Sequence, residues 1–361
     1  MSSLTILFLF CTSTFVLSAP IALYGLNYSP RQGPDWSPTK CKSQSSILND
    51  LTILKSITNR IRIYSLTDCN QGLIVLQVAS QLDMQVMLGM WVSGNEEAFT
   101  AEMEALEVLL ENDMISKEKV EAISVGSEAI YREDVTATEA VALMTRVNTL
   151  LSDKGITDVP VTITDIGDVY EANPILLSSV DFVSANAFPF WEAKAAETAV
   201  SYLVDDDLPA LVDMTNAANK IFMLSETGWA DAGEHPDASE ASPANQVTYF
   251  EDFYCKVIVG KPTWKTFYFN GLDASWRTEQ DGTENDVEGH FGIFTDAGEL
   301  KSQFEELSFT CPEDGVTYSF ADTPVVDPKV DSKGSKDSST GGVLNPNMVL
   351  GMVLALTAYL L

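Results

Sequence analysis

Two glutamates stand where a chain places chemistry more readily than packing: Glu128 in "VGSE" and Glu226 in "MLSETGWAD". Each closes a short run of apolar and small residues, and an ionisable carboxylate there costs desolvation energy unless it is paired or used. One carboxyl that protonates a leaving oxygen and a second that attacks the anomeric carbon are what glycoside hydrolysis needs. A single Glu of this kind would be read as pairing with an Arg or capping a helix. Two at matching positions, with aromatics crowding both, favour catalysis. Nucleophilic chemistry of another type has little material, because the chain holds only two histidines, His235 and His290, both in polar, acidic or Gly-containing stretches.

The elements that must position this pair are legible as eight β-prone runs: Ile21 to Tyr28, Asn59 to Ser65, Gln85 to Val92, Glu121 to Glu128, Val159 to Asp165, Val180 to Phe188, Lys220 to Glu226 and Trp264 to Asn270. Between them lie segments such as "EEAFTAEMEALEVLLENDM" and "TATEAVALMTRVNTLLSDKG", whose apolar residues recur at three and four positions as in amphipathic helices. The second opens on a Thr cap with Glu139 close behind and stops at Gly155. Eight strands alternating with helices predict an α/β fold, a single (β/α)8 TIM barrel. The rival doubly wound sheet lacks support, since no GxGxxG or GxxxxGK follows any run.

Barrel sites lie at the C-terminal ends of the strands. Glu128 ends the fourth run and Glu226 the seventh, and other ends carry Tyr28, Tyr64, Trp91, Asp165, Asn186 and Asn270. Trp191, Trp229 and Trp276 follow strand ends, where flat rings can stack on pyranose faces. Tyr28, Tyr64 and Tyr131 are placed to bond sugar hydroxyls or Glu226. Phe188, Phe190 and Phe291 read as ordinary packing. Arg62 and Asn186 are candidate supporting polar groups, with a buried ion pair as the other reading of Arg62. The sequon "NYS" at Asn27 lies at the first strand end, where a glycan would obstruct the cleft, so it is expected to stay unused. On the catalytic reading, Glu226→Ala is expected to abolish activity while thermal stability changes little.

The ends of the 361-residue chain read differently from its middle. Leu4 to Leu17 is apolar apart from hydroxyls and is followed by small Ser18 and Ala19, which makes residues 1–19 an expected secretory signal peptide rather than a buried N-terminal helix. Residues 20–317 are the expected barrel domain. Residues 318–347 form a polar linker rich in Ser, Gly, Asp and Lys, with small residues from Ser338 to Gly341 and an apolar tail over 348–361. That pattern reads as a GPI-attachment signal rather than a short tail anchor, so a membrane is expected only through the lipid. The expected location is the cell surface or cell wall.

Of five cysteines, Cys11 falls in the signal peptide, which leaves Cys41, Cys69, Cys255 and Cys311 for two disulfides in an oxidising compartment. Neighbourhood in sequence suggests Cys41 with Cys69 and Cys255 with Cys311, out of three connectivities. With no CxxC and no Cys/His cluster, no metal site is expected. A net charge of −31 argues against nucleic acid, which needs clustered Lys and Arg, and favours a neutral ligand.

The segments "YGLNYSP", "IRIYSLTDC", "ISVGSEAIYRED", "NAFPFW", "LSETGWA", "YFNGLDASW" and "GHFGIF", spread over nearly the whole middle of the chain, resemble glycoside hydrolase family 17, the β-1,3-glucanases and glucan-modifying enzymes of plant and fungal walls. The resemblance is closer to the fungal wall branch. It implies a retaining endo-β-1,3-glucanase with Glu128 as acid/base and Glu226 as nucleophile, acting on β-1,3-glucan without cofactor, as a monomer. It also implies a substrate site drawn from Tyr28, Tyr64, Trp91, Ser127, Tyr131, Asn186, Trp191, Trp229, Asp273 and Trp276. A β-1,3-glucanosyltransferase and a non-catalytic wall carbohydrate-binding protein are the alternatives. Three departures bear on that choice: Ser127 stands where many members have Asn, Ala230 where Pro often follows, and "LDASW" where a more acidic run is usual.

Overall fold

The computed structural model describes residues 18–281 and 283–321. Eight parallel strands close into a barrel: β1 Gly25–Asn27, β2 Arg60–Arg62, β3 Gln85–Met90, β4 Val120–Ser127, β5 Val161–Ile166, β6 Val183–Asn186, β7 Phe222–Glu226 and β8 Lys265–Tyr268. β8 returns to β1 through Leu26 opposite Tyr268, so no strand of the barrel is left as an edge. Each of the eight predicted runs overlaps one of these strands: six contain it whole, while β4 begins one residue before its run, at Val120, and β5 ends one residue after its run, at Ile166. The runs overreach at their ends because the flanking residues are apolar yet already belong to the loops.

Helices on the outside cover the barrel with their apolar stripes. Helix Ala137–Asp153 begins at the expected cap: the Thr136 side chain accepts from Glu139 N, and the Glu139 carboxylate accepts from Thr136 N. Helix Glu96–Glu111 buries Phe99, Leu106 and Leu109 on one face, and Glu102 with them. Between strands and helices a continuous apolar core forms, with Leu26, Ile61, Val86, Ile123, Leu224 and Phe250 fully buried. At the N-terminal ends of the strands, Glu121 accepts hydrogen bonds from Tyr24 and Lys265 and from Arg60 Nε at 3.4 Å. These polar groups seal the end opposite the cleft.

The disulfides are Cys41–Cys69 and Cys255–Cys311, the pairing suggested by neighbourhood. A three-stranded sheet joins Ala19–Pro20, Thr317–Ser319 and Ser308–Thr310. Pro20 and Thr317, the expected domain limits, fall inside that sheet. The expected signal peptide except its last two residues, the linker beyond residue 321 and the apolar tail lie outside the described residues. Among the described residues no helix is long and apolar enough to cross a membrane.

Candidate active site

The end of β4 is shaped for Glu128 by an interruption of the ladder. Its pairing with β5 shifts between Ser124 and Ser127. Gly126 there adopts φ +88°, a conformation open to glycine at little cost. Ser124 Oγ donates to the Gly126 carbonyl at 2.8 Å and holds the bulge. Glu128 itself has φ +56°, a left-handed conformation that costs a residue with a Cβ about 1 kcal/mol or more and that gathers at functional sites. Its N–H is tied to Thr164 O at 2.9 Å, and its side chain turns into the cleft.

Glu226 reaches the same cleft from the last position of β7, where the register against β6 also shifts, beside Asn186. Arg62, fully buried on β2, forms the ion pair: its Nη1 donates to Glu226 Oε1 and to Asn27 Oδ1 at 3.0 Å, and its Nη2 donates to Ser127 Oγ at 2.9 Å. Ser127 Oγ in turn donates to Glu226 Oε1 at 3.4 Å. Arg62 is thus both things the sequence allowed, a buried ion pair and a support for the site. Asn27 Nδ2 donates to Ser225 O and Phe267 O, so the sequon side chain is committed inside the barrel. In the folded protein a glycan on Asn27 would have to displace these buried bonds.

Asn186, ending β6, holds the Glu128 carboxylate. Its Nδ2 donates to Glu128 Oε1 at 2.6 Å, and its Oδ1 accepts from Ser225 Oγ at 2.9 Å, which fixes the amide orientation. Burial pushes the Glu128 carboxyl up to about 7, the Glu226 carboxylate adds to the rise, and the Asn186 hydrogen bond opposes it. Burial, with Glu226 nearby, also pushes the Tyr64 phenol well up, and its buried hydroxyl has no hydrogen-bond partner among the described residues. Near neutrality the site therefore holds one carboxyl able to give a proton beside a second paired with a guanidinium.

Both glutamates open into a cleft of about 1270 Å³. Tyr64, Trp91, Ser127, Tyr131, Asn186, Trp191 and Trp276 line it with them, as the sequence led one to expect. Three expected residues do not. Tyr28 is buried on the outer side of β1, its hydroxyl donating to Asp50 of helix Gln44–Leu54 at 2.8 Å. Trp229 is fully buried among Phe190 and Tyr249, with its indole N–H on Glu240 O. Asp273 faces a separate cavity of about 710 Å³, ion-paired with Lys301 at 2.8 Å and bonded to Gly292 N. Phe188 packs against the core as expected, edge-on to Phe269 and Phe291, and also lines the cleft, whereas Phe190 and Phe291 are buried.

Sequence reasoning missed several groups. Glu102 accepts from Leu66 N at 2.7 Å and Thr67 Oγ1 at 2.6 Å, which pins the loop after β2, and a carboxylate inside the stripe Phe99, Leu106, Leu109 was its signal. Arg31 lies 4.5 Å from the Trp276 ring centre, so a guanidinium already uses a face of that indole. Arg132 holds the Ser127 carbonyl at 2.5 Å and lies against Trp91 at 4.6 Å, and no spacing rule marks it. For a metal, Asp231, Asp273 and His290 come together, but Lys301 Nζ contacts Asp231 at 2.6 Å and Asp273 at 2.8 Å, supplying the positive charge there.

A closed parallel barrel with one glutamate just past its fourth strand and another at the end of its seventh, in one aromatic-lined cleft, defines a class, the (β/α)8 O-glycosyl hydrolases. The profile of the BtgE/BtgC glycoside hydrolase domain matches residues 25–292. A glucan 1,3-beta-glucosidase of Saccharomyces cerevisiae is 30% identical over 274 residues, covering 72% of this chain and 85% of the relative. The crystal structure of a glycoside hydrolase family 17 beta-1,3-glucanosyltransferase from Rhizomucor miehei superposes with TM-score 0.65 at 30% identity, over 78% of this chain and 96% of that one. An active-site mutant of the same enzyme in complex with laminaritriose gives the same values. The chain belongs to the BtgE/BtgC glycoside hydrolase domain family, within glycoside hydrolase family 17.

Proposed function

We propose that this protein is a retaining endo-β-1,3-glucanase, with Glu226 as nucleophile and Glu128 as acid/base. The observation that carries the reading is the Glu128 carboxyl, pushed up to about 7, beside Glu226 held on Arg62 in one cleft. Glu226 attacks the anomeric carbon of the glucosyl unit. The bond to the leaving oxygen breaks as that oxygen takes the Glu128 proton, which leaves a glycosyl ester on Glu226. Glu128, now ionised, takes a proton from the acceptor hydroxyl; the acceptor oxygen bonds to the anomeric carbon and Glu226 departs. Arg62 and Ser127 aim the nucleophile, and Asn186 aims the acid.

Water as acceptor gives hydrolysis, and a glucan hydroxyl gives transfer. The transferase reading is supported by the likeness to the beta-1,3-glucanosyltransferase of Rhizomucor miehei. The residues around the two glutamates are the same for both, so the acceptor side of the cleft decides. A non-catalytic wall-binding protein would have no use for a strained Glu128 beside an ion-paired Glu226. The test follows the anomeric proton by NMR during the first turnovers on a β-1,3-gluco-oligosaccharide. First-formed β-anomer supports the double displacement, and first-formed α-anomer overturns it. Mass spectrometry of the same mixture separates shorter products from longer ones.

The chain ends extend this reading. We propose cleavage of a signal peptide at residues 1–19, a catalytic domain over 20–317, a linker over 318–347, and replacement of the tail 348–361 by a GPI lipid that holds a monomer at the cell surface or wall. Release from membranes by a phosphatidylinositol-specific phospholipase checks the lipid.

A further inference from the structure

Among the described residues, the large apolar side chains left exposed include three aromatics: Trp36 at 64%, Tyr131 at 58% and Trp91 at 39%. Trp91 and Tyr131 line the cleft. Trp36 lies outside it, yet the preceding residue, Asp35, is part of the lining. Neighbouring Cα atoms are about 3.8 Å apart, less than the length of one glucosyl unit, so Trp36 stands within one sugar of the cleft's rim.

The loop that carries this indole is tied down on several sides. Asp35 accepts from Arg31 Nη2 at 2.5 Å and faces Lys40 Nζ at 3.5 Å, while Asp35 N donates to Gln280 Oε1 at 3.2 Å. Ser37 N donates to Pro34 O at 2.9 Å and closes the turn with Trp36 inside it. Gln32 N donates to Lys40 O at 2.7 Å, and Cys41 is bonded to Cys69 just behind. A large ring left 64% exposed on a braced turn contributes little to folding, because only the covered part of its apolar surface gains burial energy. It does offer a flat apolar face whose ordering cost on binding is already met.

We propose that Trp36 is a binding platform for glucosyl units of a β-1,3-glucan chain that extend past the enclosed cleft, at the rim formed by Asp35 and Gln280. The proposal rests on the glucanase reading above. The platform selects for chain length: a donor that ends inside the cleft never reaches the indole, and a longer one stacks on it. No proton or bond changes at this position.

The test measures kinetics of the full protein and of Trp36→Ala and Trp36→Phe on β-1,3-gluco-oligosaccharides of increasing length, with sedimentation on insoluble β-1,3-glucan. For Trp36→Ala, kcat/KM on the shortest cleaved donors stays within twofold of wild type. On long donors KM rises about threefold to tenfold with kcat unchanged, the range expected for one lost aromatic contact. Retention on insoluble glucan falls in parallel, and Trp36→Phe recovers most of both losses. Equal loss at every length, or none at any length, overturns the platform while wild-type turnover leaves the glucanase reading standing. A wild-type protein that neither cleaves nor binds any of these glucans overturns both.

Discussion

Removing the amide that touches Glu128, the proposed catalytic acid, should widen activity toward alkaline pH. Asn186 Nδ2 donates to Glu128 Oε1 at 2.6 Å, and this bond favours the ionised acid. Burial and the Glu226 carboxylate push the other way, Asp165 adds to them and Arg132 opposes, which together bring Glu128 to about 7. A hydrogen bond to a charged group is worth about 1.5–3 kcal/mol, and one pKa unit corresponds to about 1.4 kcal/mol. Water filling the space left by Asn186→Ala restores part of that, so the expected change is about one unit upward from about 7. The general acid works protonated, so kcat/KM falls as pH rises through its pKa in the free enzyme, and the alkaline limb marks that value. The limb of Asn186→Ala therefore moves up by about one pH unit. Its height also drops, since Asn186 lines the cleft, but position and height are separate readouts. A pH profile of kcat/KM on a soluble β-1,3-gluco-oligosaccharide decides. A limb that stays in place or moves down refutes either the role of the Asn186 bond or that of Glu128 as the acid.

Two other perturbations test the division between site and core. Glu226→Ala leaves Arg62, 1% exposed, without its ion-pair partner, so turnover is lost and stability falls by about 3–5 kcal/mol, in contrast to the small cost expected of a lone strand-end carboxylate. Glu226→Gln keeps an acceptor for Arg62, and thermal denaturation should show it inactive but nearer wild type in Tm. Trp191→Ala should raise KM severalfold at similar Tm, since that ring lines the cleft, whereas Trp229→Ala should cost about 3–5 kcal/mol because the indole is fully buried. The reverse pattern in kinetics and melting would refute the placement of the two rings.

Much of this was legible before any coordinates. β-prone runs and helical periodicity are local properties, and they located all eight strands. Glu128 and Glu226 stood out because a carboxylate ending an apolar run is costly without a use. The Arg62 to Glu226 pair was less accessible, since its members are 164 residues apart and only barrel closure brings β2 across from β7. Glu102 was hidden in plain view on an apolar helical stripe, because periodicity reports which face is inward and says nothing of the loop that face will meet.

Strand-end aromatics show the limit most sharply. Tyr28 and Tyr64 both follow a barrel strand, and the sequence treats them alike. Side chains alternate across a strand, so direction depends on parity counted from a residue known to point inward. Asn27 and Arg62 meet inside the barrel; Tyr28, one residue on, points outward to Asp50, and Tyr64, two residues on, returns to the cleft. Composition and periodicity determined that there would be a barrel with two carboxylates at its mouth. Which neighbours face them was decided by register and closure, which join residues far apart in the chain.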